Sequence, residues 1–363
     1  RMDMKEVEKL PMIFGERDIL KAIQLLPGVK SAGDGQAGFY VRGGGADQNL
    51  VLLDEAPVYN ASHLLGFFST FNTNAIKDVQ LYKGSMPAQF GGRLASVLDI
   101  RMKDGNDQKL GVSGSIGTIS TNLTVEGPIK KDKASFIIAA RRTYADVFLK
   151  LSSDPAINNN KLYFYDLNGK GNVDVGEKDK LFLSGYLGKD ILGLGDNLAV
   201  DWGNTTATAR WNHLYSPRLF SNTSFIFSNF KYGVGLKVAD SGFNITSVVR
   251  DLNLTHEFSY YPEGGSKWKF GFSTIRHNVT PGKVQNSSGS DGNTLAIQDQ
   301  HTWENAVFVS LDKPISPRVT ANIGLRVSSL SVLGPGEFYT FNSEGEVTST
   351  TTYGQGAFVK TYV

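Results

Sequence analysis

From Leu110 onward the chain alternates between apolar and polar residues. Val248, Leu252, Leu254, Phe258 and Tyr260 fall on one parity, and Asp251, Asn253, Thr255, Glu257 and Ser259 on the other. Val319, Ala321, Ile323, Leu325 and Val327 alternate in the same way with Thr320, Asn322, Gly324 and Arg326. Trp268, Phe270 and Phe272 alternate with Lys267, Lys269, Gly271 and Ser273. A period of two marks a β-strand with one face against apolar material and the other against something polar. The stretch from Leu219 to Tyr232 breaks the rule, because Phe225 and Phe227 share one parity while Phe220, Ile226 and Phe230 take the other. Its aromatic, Ser, Thr and Asn content still predicts a strand. About ten strands are predicted after Leu110.

The connections sort by length. Gly176-Glu177-Lys178-Asp179, Ser216-Pro217, Glu263-Gly264-Gly265-Ser266 and Lys313 to Pro317 read as tight turns. Ser153 to Asn160, Pro281 to Asn293 and Pro335 to Tyr353 read as long polar loops. Tight turns on one rim and long loops on the other are expected of an antiparallel transmembrane β-barrel. The competing architecture is a soluble β-sandwich, which alternates too but has no reason to sort its loops.

The first hundred residues differ. Ile19, Leu20, Ile23 and Leu26 make one apolar stripe on a short helix from about Glu16 to Leu26, ended by Pro27-Gly28. A second short helix is predicted from His63 to Phe71. Strands are predicted at Phe39–Arg42, Leu50–Leu53, Val79–Tyr82 and Val97–Arg101, each bounded by turn residues. Such a unit forms a compact α/β core of about 100 residues. The division expected is 1–106 for this unit and 107–363 for the barrel strands.

Composition narrows the class. The chain has 363 residues, 40% hydrophobic and 20% charged, with a formal charge of +2. Its basic residues are scattered, which leaves no footprint for nucleic acid. It has no cysteine, which excludes disulfides, thiolate metal sites and cysteine nucleophiles. No apolar run is long enough for a transmembrane helix, but a barrel strand needs only roughly 9–11 residues. The mean hydropathy of −0.20 therefore fits a barrel as well as a soluble protein. Aromatic groups at predicted strand ends (Tyr163, Phe164 and Tyr165; Trp202, Trp211 and Tyr215; Tyr260 and Tyr261) suit a lipid headgroup boundary. Packing inside a β-core is the alternative for each. Arg1 is not an initiator and Val363 falls in a strand-like segment, so a fragment of a longer protein is expected.

Catalytic and cofactor motifs are missing. Arg42-Gly43-Gly44-Gly45 lacks the continuation of a nucleotide-binding loop and reads as a turn that needs positive φ. Asp54 and Glu55, as strand neighbours, point to opposite faces and read as a solvated strand end and turn. His63, His213, His256, His277 and His301 show no metal-ligand spacing. The reading is no enzyme, no cofactor and no metal.

Five phrases together resemble the plug domain of a TonB-dependent outer-membrane receptor, over roughly Gly15 to Asp104. They are Val41-Arg42-Gly43, Val51-Leu52-Leu53-Asp54, Ile76-Lys77-Asp78-Val79, Tyr82-Lys83-Gly84 and Phe90-Gly91-Gly92-Arg93. Trp211-Asn212-His213-Leu214-Tyr215-Ser216-Pro217 and Gly324-Leu325-Arg326 resemble the barrel strands that follow. The family usually has Gly where Glu55 stands, and Tyr362-Val363 lacks the aromatic end of an outer-membrane barrel. The segment that binds the energy-transducing partner lies upstream of the plug in the family and is not in this sequence.

The resemblance implies an all-β membrane fold, a barrel of about 22 strands with about half present, and the α/β plug inside its lumen. It implies an importer of a scarce nutrient of the siderophore, cobalamin, glycan or peptide class. The glycan-importing branch has a different phrase around its Asp-Gly motif, which favours the siderophore and cobalamin branch. The implied partners are a TonB-type energy-transducing protein with its inner-membrane motor, an extracellular small-molecule ligand and outer-membrane lipid. A surface lipoprotein is a further partner compatible with the family. By the same analogy Arg42 and Arg93 lock the plug to barrel glutamates downstream of Val363. Tyr59, Asn60, His63 and Phe67, in a segment mixing aromatic and polar groups, are the expected ligand-contact loop, with a helix packed inside the plug as the alternative for that segment. The alternative function is a plugged barrel with a structural or secretion-associated role and no import.

Overall fold

A computed structural model of the chain describes residues 2–3, 17–31, 33, 38–238, 241–286 and 295–363. The first globule is built on a five-stranded sheet. Ile76–Lys83 and Ser96–Met102 pair antiparallel at its centre, and Asn49–Leu53 runs parallel to Ser96–Met102. The helix covers Ile19–Gln24, shorter than the stretch predicted, and the Asp18 carboxylate caps it by accepting from the Lys21 amide at 3.0 Å. Glu16, where the helix was expected to begin, lies outside the described residues. Ile19, Ile23, Phe39, Phe71, Ile76, Leu98 and Ile100 close the core. Val41 bridges to Gly44 around Arg42 and Gly43, both at positive φ, so the glycine run is the predicted turn.

From Gly111–Ile116 to Phe358–Tyr362, twelve strands form one antiparallel path, each bonded to the next along the chain. The longest have 20 residues, well past the roughly 9–11 needed to cross a bilayer. The predicted tight turns at Gly176, Pro217, Gly264 and Pro317 lie on one rim, where the last plug strand also hands over to the wall. The other rim carries the segment between Thr143 and Lys161, with short helices at Ala145–Leu149 and Pro155–Asn158. It also carries a hairpin of Gly336–Phe341 with Val347–Tyr353. Two predicted loops thus contain regular structure. A third, Pro281 to Asn293, begins inside the strand Lys267–Asn286, and its remainder lies outside the described residues. Among the described residues no helix is long and apolar enough to cross a membrane.

The helix predicted from His63 to Phe71 is instead a small hairpin, Ser62–His63 with Phe68–Ser69. Leu64, Leu65 and Gly66 between them have φ of 47°, 57° and 99°, which a right-handed helix cannot contain.

The wall is turned inside out relative to a soluble sheet. Ile323 and Leu325 are each 65% exposed. Asp166, Asn168, Lys170 and Asn172, on the inward parity of Lys161–Val175, are all buried against the plug. The irregular strand is explained by the same geometry. Phe225 points outward, while Ile226 is buried facing the lumen and Phe230 meets the plug ring of Tyr59 at 6.5 Å. Its second apolar parity is thus the face that touches the plug. Among the rim aromatics, Trp211, Tyr215, Tyr260, Tyr261 and Trp268 are exposed near the tight turns, with Tyr215, Phe258 and Phe270 in a chain of ring contacts at 6.0 and 5.2 Å. Phe164 and Trp202 turn inward and are buried, so those two belong to the lumen.

An arginine on the outward face tests this orientation. Leu325→Arg is expected to lower stability in lipid vesicles by about 2–4 kcal/mol, read by urea unfolding. A sheet facing water would change by no more than about 0.5 kcal/mol.

Candidate functional site at the plug and wall interface

The plug segment 54–64 climbs the wall from the tight-turn side toward the long-loop side, and the wall takes hold of it at nearly every step. Asp54 and Glu55 form the turn after Asn49–Leu53, with φ of 44° and 74°. The turn expected at this strand end is present, but Asp54 is not solvated. Asp54 is buried, accepts from the Met102 amide at 2.9 Å and pairs with Lys170 at 3.3 Å. Glu55 receives Arg210 at 3.1 Å and Asn222 at 3.3 Å. This accounts for the departure at Glu55: a glycine would relieve the left-handed backbone, but only a carboxylate reaches the wall.

Above the turn, Ser228 donates to the Pro57 carbonyl at 2.6 Å. Asn204 brackets the chain, accepting from the Tyr59 amide at 3.1 Å and donating to the Asn60 carbonyl at 2.8 Å. The Tyr59 hydroxyl donates to Asp251. Burial, then the Asp251 carboxylate, pushes the Tyr59 phenol up, against a smaller pull from Arg93. The phenol therefore stays protonated and keeps its donor.

At the top sits a buried group of two cations and two carboxylates. His63, 1% exposed, turns Nδ1 to Asp190 at 2.6 Å and Nε2 to Asp166 at 3.3 Å. Arg141 grips Asp166 at 2.7 Å and donates to the Ser69 carbonyl at 2.7 Å. Phe164 stacks on the imidazole at 4.0 Å. Carboxylates only accept, so the ring satisfies both of them only as imidazolium, and the group then sums to zero charge. Burial disfavours the charged ring, but Asp190 and Asp166 outweigh it and hold the His63 pKa above 6.5. The other oxygen of Asp190 accepts from the Leu64 amide at 2.7 Å. One wall carboxylate thus fixes both the histidine and the left-handed turn, which presents Leu65 and Phe67 half exposed.

A cavity of about 200 Å³ lies between plug and wall, lined by Tyr59, Arg93 and Arg101 on one side and by Asp251, His277, Glu304 and Arg326 on the other. Arg326 pairs with Glu304 at 3.3 Å and donates to the Gln89 carbonyl at 3.1 Å. A second cavity of about 340 Å³ on the plug face is lined by Asn49, Leu50, Pro57, Tyr59, Asn60 and Arg93. No group of His, Cys, Asp or Glu among the described residues is arranged to hold a metal ion.

The residues singled out in the sequence are distributed as follows. Tyr59, Asn60 and Arg93 come together at the second cavity. Phe67 stands at the tip of the hairpin turn, while His63 is behind it, inside the charge group. The Arg42 side chain lies over Gly84 and against Gly28, within the plug. Arg93 donates to the Gly92 carbonyl at 2.8 Å, and neither arginine is in an ion pair among the described residues. The wall side of the interface, Arg141, Asp166, Lys170, Asp190, Asn204, Arg210 and Asp251, went unpredicted. Its one signal was the polar inward parity, on which Asp166, Lys170 and Asp251 all fall.

A globule held by polar side chains within an antiparallel wall defines a plugged barrel. Residues 6–97 match the TonB-dependent Receptor Plug Domain. No curated protein sequence matches the chain. Solved structures do. The ferric enterobactin receptor of Pseudomonas aeruginosa aligns with a TM-score of 0.67 at 14% identity, over 91% of this chain and 58% of that one. A siderophore receptor of Acinetobacter baumannii aligns at 0.66 and 15%, over 91% and 58%. The copper transporter OprC aligns at 0.69 and 12%, over 97% and 57%. Residues 6–97 thus match the plug domain, the strands after them have the fold of about half of the barrel in these structures, and the chain spans a little over half of their length.

Two expectations follow from the charge group. Asp190→Asn should weaken it by about 3–5 kcal/mol, the cost of breaking a buried pair. Hydrogen exchange should then quicken at the 62–69 amides and stay unchanged in the plug strand Ile76–Lys83. The imidazolium's contribution is whole below 6.5 and is lost as pH climbs through the raised value of the folded state. Protection of the 62–69 amides in the unsubstituted protein should therefore fall on the alkaline side, and His63→Ala should abolish that pH dependence.

Proposed function

We propose that the chain is the plug and first half of the barrel of an outer-membrane receptor, which imports a scarce nutrient of the siderophore or cobalamin type using force from a TonB-type protein and its inner-membrane motor. The observation that carries the reading is the interface itself. Plug and wall meet through a ladder of ion pairs and hydrogen bonds, from Lys170 to Asp190, beside apolar contacts such as Phe68 with Phe164 and Tyr59 with Phe230. The polar contacts hold at rest and exchange for water when the plug is pulled.

The ligand arrives from the long-loop side. Leu65 and Phe67 at the plug tip, with Tyr59 and Asn60 below, are its proposed contacts on the plug. Tyr232, exposed on the lumen face opposite Trp202, is the proposed contact on the wall. Arg42 and Arg93 are proposed to pair with carboxylates of the remaining wall. His63 is proposed to act from behind the contact loop, by fixing it. No covalent chemistry is involved.

The test is uptake of labelled ferric siderophores and cobalamin by cells that lack the gene, complemented with the intact gene or with Phe67→Ala. Import should vanish without the gene and fall severalfold with the variant. Unchanged import of every compound in the deletion strain would leave a plugged barrel with a structural or secretion-associated role.

A further inference from the structure

Charge on the wall is sorted by face. The consecutive strands Leu219–Val238, Ser241–Tyr260, Lys267–Asn286 and Gln300–Ser316 carry the carboxylates Asp251, Glu257, Glu304 and Asp312. Asp251, Glu257 and Glu304 line the cavity against the plug, and Asp312 shares the parity of Glu304. The outward parity of these four strands holds no carboxylate.

That outward face does hold Lys231, Arg250 and Arg276, all exposed. Arg250 is opposite Asn229 and Asn278, Lys231 is opposite Val248, and Arg276 is opposite Leu252. Lys231 and Arg276 are therefore both diagonal neighbours of Arg250, about 7–8 Å from it. No ion pair among the described residues neutralises any of the three. Arg250 donates to the Asn229 side chain at 3.3 Å. On the adjoining strand the outward carboxylate Asp201 is already held by Lys189 at 3.2 Å.

The position matters as much as the charge. Toward the tight turns the same strands show lipid an apolar band of Phe225, Leu252, Leu254, Phe270 and Phe272. The cations stand at its border on the long-loop side, and the half-exposed indole of Trp303 is opposite Arg276. Basic side chains at such a border reach up to headgroup phosphates, and guanidinium groups bind them in two-pronged fashion.

We propose that Lys231, Arg250 and Arg276 form a docking patch for the phosphate-bearing headgroup of a lipid in the leaflet beside the long loops, with its acyl chains on the apolar band below. The patch rests on the membrane-barrel reading but not on import. A headgroup is favoured over a free phosphate because the band supplies the surface that only the acyl chains can use.

The protein purified in neutral detergent is titrated with diphosphorylated lipid A, its dephosphorylated counterpart or inorganic phosphate, and the thermal unfolding midpoint is followed. Only the diphosphorylated lipid should raise the midpoint, and high salt should weaken the effect. The combined Lys231→Gln, Arg250→Gln and Arg276→Gln protein should need about a hundredfold more lipid for half the effect. Lys313→Gln with Arg318→Gln, at the tight-turn rim, should match the unsubstituted protein. If the triple variant does not fold, Arg250→Gln alone should still need about fivefold more. An unchanged titration in the substituted protein overturns the proposal. So does an equal shift with dephosphorylated lipid, or an equal shift with inorganic phosphate. A protein that stays folded and monodisperse without detergent overturns the membrane reading, and the patch with it.

Discussion

A carboxylate inside this molecule can exist only where a cation or a set of hydrogen-bond donors meets it, and the wall supplies those from the face that does not touch lipid. Removing an ion from water costs several kcal/mol after relaxation. The buried carboxylates that hold the segment are therefore matched, Asp54 by Lys170, Asp166 by Arg141 and Asp190 by His63, and half-buried Glu55 is matched by Arg210. The matching gives the plug one seating. Sliding the segment 54–64 by one residue would set each carboxylate against the wrong partner.

The same constraint explains the strained backbone. Left-handed residues other than glycine cost of order 1–3 kcal/mol each and persist where their surroundings over-determine them. Of six among the described residues, Arg42 and Asp132 lie in turns elsewhere, while Asp54, Glu55, Leu64 and Leu65 fall at two places where a wall side chain holds the turn. Lys170 and Arg210 fix the first, and Asp190 fixes the second. Both fastenings of the plug thus carry strain, and at the upper one it displays Leu65 and Phe67 toward the long-loop rim.

Charge sorting extends this logic to the outer surface. Inward positions of the wall carry both signs, because the plug presents both. On four neighbouring strands the outward positions beyond the apolar band carry Lys231, Arg250 and Arg276 with no carboxylate, which suits the proposed lipid phosphate. A strand's two parities therefore encode two different partners, and the residues that break a parity identify which one. Ile226 and Phe230 looked like errors in an amphipathic strand, yet they are the places where the wall packs against the plug.

The sequence alone determined most of the wall strands (about ten of the twelve on the path) and, where the alternation is clean, their two faces, because a period of two is a local property that survives without knowledge of neighbours. It also determined the glycine turn after Val41 and the helix stripe of Ile19, Leu20 and Ile23. It did not determine the hairpin at Ser62–Ser69, whose apolar spacing imitates a helix and whose left-handed turn is imposed by Asp190, far away in the chain. Nor did it reveal that His63 faces Asp166 and Asp190. Those partners are more than a hundred residues distant, and the strand register that brings them together is set by the whole wall. Local chemistry fixes which face of a strand a side chain occupies; only the closed packing of plug against wall decides what that side chain meets.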